Sequence, residues 1–273
     1  MNIAIIGCGY VGQAVARYWQ ERNFAVTVTT TTPEKVTALS EVADRVVILQ
    51  GNDVEGMLKL LENQDTVLLS VGAKNSDTYT ETYLQTAQTL ISVMQQMKTV
   101  QQVIYTSSYS VYGLQNGASV DEETPVTPIN SNGEILCETE KILLQGKSEN
   151  LRVCILRLGG IYGPGRELVK IFGRAAGSTR PGDGKDITNW IHLDDIVAAL
   201  EFGRQHRLHG IYNLVDDAHL SSRELFERLC TQHNLPQVSW NATQQSNRAY
   251  NSRVNNQKIK DAGYKLIHPQ MIF

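Results

Sequence analysis

The chain has 273 residues, 41% hydrophobic and 19% charged, with a formal net charge of −3. That length suits one large domain or two smaller ones around a sizeable core. The near-neutral charge offers no electrostatic footprint for nucleic acid or an anionic membrane surface, and no apolar run approaches the ~20 residues of a membrane span. The opening MNIAIIG carries no basic region or cleavage site, so no signal peptide is expected. Cys8, Cys137, Cys154 and Cys230 lie far apart without metal-ligand spacing. They are expected to be free thiols in a reducing cytoplasm, and no metal site is expected.

NIAII reads as a short buried strand, and VGQAVARYWQERN follows with apolar residues at helical spacing. FAVTVTT returns to β-branched alternation, and Pro33 suits the first turn of a helix reaching about Ser40. DRVVILQG, DTVLLSVGA and QQVIYTSS read as buried strands, with helices over 54–62 and 78–97 between them. A helix over 132–145 leads into the strand LRVCILRLGG. Strands separated by helices imply parallel pairing through right-handed crossovers. Beyond residue 157 strand signals thin out, and GIYNLV is the last clear strand, expected to return to the main sheet.

The first strand runs into Gly7-Cys8-Gly9-Tyr10-Val11-Gly12, a GxGxxG between strand and helix. Gly7 permits the tight turn, Gly9 lets a diphosphate approach the backbone, and Gly12 lets helix and strand pack closely. The helix start offers N–H groups and partial positive charge to that diphosphate. A dinucleotide is therefore expected. At the end of the second strand an NAD site places a carboxylate on the ribose 2′-OH. Here the sequence reads Thr29-Thr30-Thr31-Thr32-Pro33, with Lys35 close by. Hydroxyls at Thr31 and Thr32 tolerate a 2′-phosphate, so NADP is the expected cofactor, with NAD as the alternative.

VIYTSSYSVYG, ILRLGGIYGPGR, WIHLDDIVAAL and GIYNLVDD, in that order, resemble the landmarks of the extended short-chain dehydrogenase/reductase family, which includes nucleotide-sugar epimerases and dehydratases. With the glycine loop, the resemblance runs from residue 3 to about 217. GxGxxG replaces the usual GxxGxxG, which is closer to atypical members. The resemblance implies an α/β fold: a Rossmann-type doubly wound parallel sheet with a small C-terminal α+β substrate lobe. The cofactor domain would span 1–157 with 186–217 returning to it, and the lobe 158–185 and 218–273. Carried over by position, Ser108 matches the catalytic serine, which hydrogen-bonds the substrate's reacting oxygen. Asp53 matches a contact to the adenine amino group, and would equally suit a helix N-cap. Val71, Gly72 and Ala73 match backbone passing beside the adenosine ribose. His192 and Asp195 are expected to be structural.

The departure lies in PVTPINSNGEILCETE. The family's acid/base tyrosine and the lysine four residues later share one helix face. With Pro125 and Pro128 before the helix and Glu140 as the trailing glutamate, those places fall on Asn132 and Leu136. Neither can transfer a proton near neutral pH, and general acid–base catalysis contributes about 10²–10⁴ in rate. The pair Cys137 and Lys141, the carboxylates Glu134 and Glu138, and the phenols Tyr112 and Tyr162 are the conceivable substitutes. Arg166, Arg174, Arg180, Lys185, Arg248 and Arg253 are scattered over loops expected to face an anionic small-molecule substrate such as a nucleotide-sugar. The expectation is an NAD(P)-binding oxidoreductase-like protein, with an inactive NADP-binding sensor or scaffold as the alternative. Family analogy adds a homodimer through helices 78–97 and 132–145.

Overall fold

The first strand, β1 (Asn2–Ile6), is apolar along its whole inner length because both of its faces are covered: Ile3, Ala4 and Ile5 are fully buried. The computed structural model describes residues 1–273 except 98, 247 and 249. In chain order the strands continue as β2 (Ala25–Thr30), β3 (Arg45–Ile48), β4 (Thr66–Leu69), β5 (Gln102–Ser108), β6 (Ser119–Val120) and β7 (Arg152–Leu158). Then come β8 (Gly160–Tyr162), β9 (Thr179–Pro181), β10 (Trp190–His192), β11 (Gly210–Leu214), β12 (Ser239–Asn241) and β13 (Arg253–Val254). Seven of them form one sheet in the order β3-β2-β1-β4-β5-β7-β11. β1 pairs in parallel with both β2 and β4, so the strand order reverses between β1 and β4. Open α/β sheets bind ligands outside the carboxyl ends of the strands at such a switch point. β11 joins the sheet edge, as expected for GIYNLV.

The helices are α1 (Tyr10–Gln20), α2 (Val36–Leu39), α3 (Val54–Leu61), α4 (Thr86–Met94), α5 (Ser131–Gln145), α6 (Leu168–Phe172), α7 (Leu193–Gln205), α8 (Ser222–Gln232) and α9 (Gln257–Asp261). The expected helix over 78–97 is shorter and irregular. A π-helical stretch, Thr80–Gln85, feeds into α4. Such insertions are frequent at functional sites. Gly51 packs beneath the start of α4, since a Cβ there would collide with the Thr86 hydroxyl. α3 and α4 bury Met57, Leu60, Leu90 and Val93 against Val67, Leu69 and Val103 of the sheet.

By internal contact the chain divides into two units. The first comprises Met1–Ser108, Asn130–Arg157 and Val197–Ile211; the second comprises Tyr109–Ile129, Leu158–Ile196 and Tyr212–Phe273. These units differ from the boundaries drawn from sequence at 109–129, 186–196 and 212–217, which fall in the second unit. The segment 109–129 lacks helical or strand periodicity, and β6 pairs with the distant β13, which no local pattern reveals.

Within the first unit, Trp19 of α1 is fully buried and its indole Nε1 donates to Glu201 Oε2 of α7 at 2.8 Å. Arg204 neutralises that carboxylate at 2.7 Å. The second unit has its own core, with Tyr162, Leu168, Leu225, Phe226, Leu229 and Met271. Its α8 starts with a full capping box, Ser221 and Glu224. Asp195, fully buried at the start of α7, accepts N–H groups from Ile267 (2.6 Å) and His268 (2.9 Å) and the Tyr264 hydroxyl (3.0 Å). The IHLDD landmark thus holds the C-terminal segment.

Candidate functional site: a cleft at the sheet switch point

A cleft of about 430 Å³ opens in the first unit over the carboxyl ends of β1, β2, β3 and β4. That is within the size range of small-molecule pockets. Gly7, Gly9, Thr31, Thr32, Val71 and Gly72 line it. Tyr10, Val11, Gly12, Asp53 and Ala73 are not on its wall. Sequence reading missed Thr30, Gln50, Ser70, Lys74, Glu81 and Thr82, which also face it. Lys74 and Glu81 had no motif to mark them; the position of β4 and the π-helical stretch brings them in.

The glycine turn is built by steric exclusion. Gly7 has φ +88°, and a Cβ on it would lie 2.7 Å from the Ser70 carbonyl oxygen. A Cβ on Gly12 would lie 2.6 Å from the Gly7 oxygen, so helix and turn touch there. Gly9, by contrast, has nothing within 4 Å of its Cβ position, leaving its backbone open to the cleft. It is the N-cap of α1 and supplies no side-chain acceptor to the first turn. The loop is pinned to β2: Gly7 N–H donates to Thr29 Oγ1 (3.0 Å) and Cys8 N–H to the Thr29 carbonyl (3.1 Å). Burial pushes the Cys8 thiol up to about 12, so it is a packing group rather than a nucleophile. At the end of β2, Thr30 Oγ1 accepts the Thr32 N–H at 3.1 Å, and Lys35 stands on the cleft wall. No carboxylate from that strand end lines the cleft among the described residues. Asp53 caps α3, accepting the Gly56 N–H at 2.9 Å.

Ser108 closes β5, partly exposed. α5 packs on β5, on α4 and on the π-helical stretch, with Asn130 as its N-cap. Asn132, in its first turn, donates from Nδ2 to Ser76 Oγ at 3.3 Å. Leu136, one turn later, is 6% exposed. The register of α5 is anchored by Glu140, 3% exposed, which makes a two-pronged ion pair with Arg157 of β7 at 2.7 Å and accepts the Ser107 hydroxyl at 2.6 Å. One buried carboxylate therefore ties β5, α5 and β7 together.

Most of the conceivable proton donors are buried or otherwise engaged. Burial, then the nearby Glu140 charge, pushes the Cys137 thiol up to about 11. Lys141, its proposed partner, pairs instead with Glu138 at 3.2 Å. Glu134 is exposed in the first turn of α5. Tyr112 is fully buried and donates to Asn213 Oδ1 at 2.8 Å. Tyr162 is 2% exposed, its oxygen accepts the Ile272 N–H at 3.1 Å, and burial pushes it up to about 12. Three of the scattered cations have local partners. Lys185 pairs with Asp183, Arg248 bonds the Tyr250 carbonyl, and Arg180 lies over the Phe226 ring.

This is a doubly wound α/β fold with its cleft at the β1/β4 switch point, the arrangement of dinucleotide-binding enzymes. Residues 3–214 match the NAD dependent epimerase/dehydratase family, and the chain belongs to that family. Protein YeeZ of Escherichia coli (strain K12) is 34% identical over 225 residues, covering 80% of this chain and 78% of YeeZ. Among solved structures, dTDP-glucose 4,6-dehydratase of Bacillus anthracis, in complex with NAD, superposes with a TM-score of 0.81 at 17% identity, over 98% of this chain and 92% of that one. MoeE5 in complex with UDP-glucose and NAD gives 0.80 at 20% identity, over 97% and 93%. At such identities the two superpositions speak for the fold. No helix among the described residues is long and apolar enough to cross a membrane.

Proposed function

We propose that this chain is an NAD(P)-binding, oxidoreductase-like member of its family that prefers NADP and takes a nucleotide-sugar or similar anionic small molecule. The observation that carries this reading is the glycine turn. Gly9 leaves its backbone open at the start of α1, where a diphosphate gains both N–H donors and the helix dipole. Gly7 and Gly12 fix that turn. Thr31, Thr32 and Lys35 would receive the adenosine ribose and its 2′-phosphate, and Val71, Gly72 and Ala73 would run beside the adenosine. Asp53 would reach the adenine amino group only alongside its capping role. Bound in this way, the nicotinamide would supply or accept a hydride. Ser108 would hydrogen-bond the substrate's reacting oxygen and so hold it for that transfer. The proton would have to come from a group other than Asn132 or Leu136.

The test is a fluorescence titration of the full chain with NADPH and with NADH. The expected result is binding of both, several-fold tighter for NADPH. Equal or reversed affinities would remove the NADP preference, and no binding of either would overturn the reading.

A second reading, a cofactor-dependent sensor without turnover, is favoured by the burial of Leu136 and by the engagement of Tyr112 and Tyr162. NADPH oxidation against a panel of carbonyl compounds separates the two. Turnover that falls with Ser108→Ala supports the enzyme; tight NADPH binding without turnover supports the sensor. A homodimer through α4 and α5 belongs to the same proposal, and sizing in solution tests it.

A further inference from the structure

The second unit brings two imidazoles and a carboxylate together from distant parts of its sequence. His192 ends β10, Asp194 lies in the first turn of α7, and His268 comes from the C-terminal segment. One ligand-capable atom from each lies within 4.8 Å of the other two. We infer that His192, Asp194 and His268 form a site for a divalent transition-metal ion of the zinc type, which clasps the C-terminal segment to the start of α7.

The donor set points to that class. Two imidazoles with one carboxylate suit zinc, cobalt, nickel or copper, whereas calcium and magnesium call for oxygen donors. Two of the three donor–donor spacings fit as well. Ligand bonds of ~2.0–2.2 Å in a tetrahedron place donor atoms about 3.3–3.6 Å apart. Asp194 Oδ2 stands 3.4 Å from His192 Nδ1 and 3.0 Å from His268 Nε2, within a few tenths of an ångström of those edges.

Both imidazoles are presented by structure already in place. Asp194 N–H donates to His192 Nδ1 at 3.2 Å, so that nitrogen carries the lone pair a metal requires. A metal would replace this long bond, and the freed N–H lies beside a half-exposed side chain where water can take it. On the other edge of the ring, Gly163 leaves little room, since a Cβ there would stand 3.2 Å from His192 Nε2. His268 is aimed by its own backbone: its N–H and that of Ile267 are both held by the buried Asp195 carboxylate. These bonds fix the backbone that presents the His268 ring. Asp194 is exposed enough to admit an ion and leave a coordination position to water. Metal ions and protons compete for imidazole nitrogens, so affinity should fall as the solution is acidified.

The test uses the full-length, tag-free protein in a non-chelating buffer, titrated separately with zinc chloride and cobalt chloride. The expected result is one equivalent bound, with micromolar or tighter affinity, and a visible d–d absorption band for cobalt. His268→Asn and Asp194→Asn should each weaken binding about tenfold or more, while Cys137→Ser should leave it unchanged. Circular dichroism checks that the variants fold. Zinc should also slow hydrogen exchange at the amides of residues 264–272 in the natural chain and not in the His268→Asn variant. Absence of stoichiometric binding, or binding undiminished in both variants, would overturn the site. Binding without any change in exchange would overturn the clasp.

Discussion

Two places in the first unit, the glycine turn after β1 and the first turns of α5, sit on the same sheet but differ in what does their work. The glycine turn works through backbone. Its requirements are the absence of a Cβ at Gly7 and Gly12 and open space at Gly9, and all three are met. The first turns of α5 work, in the family, through two titratable side chains. Here those positions carry an amide bonded to Ser76 and a buried leucine. The framework beneath them is nevertheless kept, because Glu140, Arg157 and Ser107 still lock the helix to the sheet. The fold here rests on the buried anchors, whereas the proposal that a proton-transfer pair is missing rests on the two positions that precede them.

The largest expected effect tests the anchor. Glu140→Gln leaves the Arg157 guanidinium buried without its counter-charge, and breaking such a pair costs about 3–5 kcal/mol. Urea denaturation should show that loss; a change under about 1 kcal/mol would mean the pair is dispensable and the contrast between anchor and chemistry too sharp. Next comes restoration of the missing pair. If the rest of an active site is present, Asn132→Tyr with Leu136→Lys should raise NADPH-dependent turnover by about 10²–10⁴. No gain in a folded, NADPH-binding double variant would mean that more than these two side chains has changed.

A smaller effect concerns Cys137. A thiol held at about 11 rather than near 8.5 should label ~300-fold more slowly with iodoacetamide at pH 7. Its rate should climb with each pH unit up to about 11, because the thiolate is the reactive form. A plateau near pH 8 would return Cys137 to the list of proton donors. The smallest effect tests the glycine end of the comparison from its neighbour. Asp53→Ala removes the α3 cap and should cost about 0.5–2 kcal/mol of stability. A large loss of NADPH affinity beyond that would show that Asp53 reaches the adenine as well.

Much of this was legible in the sequence because it was local. The strand–glycine–helix order of residues 2–20, the alternation of β2 and the apolar runs of β4, β5 and β7 each announce themselves within a few residues. The extent of α5 was legible too, within one residue, after Pro125 and Pro128. What stayed hidden is non-local. Lys74 and Glu81 reach the cleft only because β4 and the π-helical stretch are folded against β1 and β3. The engagement of Tyr112 depends on Asn213, 101 residues away, and that of Tyr162 on Ile272, 110 away. His192 and Asp195 read as structural residues. Asp195 holds the chain's last turns, while His192 gained its neighbour His268 only in three dimensions.

The hydrogen bond between Trp19 and Glu201 has a consequence for the order of synthesis. The two residues are 182 positions apart, so at a ribosomal rate of 5–20 residues per second the buried indole waits about 10–40 s for its partner. During that interval a large apolar ring of the first helix has no completed core to enter. The amino-terminal half of this chain is therefore a poor candidate for folding ahead of the rest, and truncations ending before α7 should emerge as chaperone clients rather than as free-standing nucleotide-binding domains.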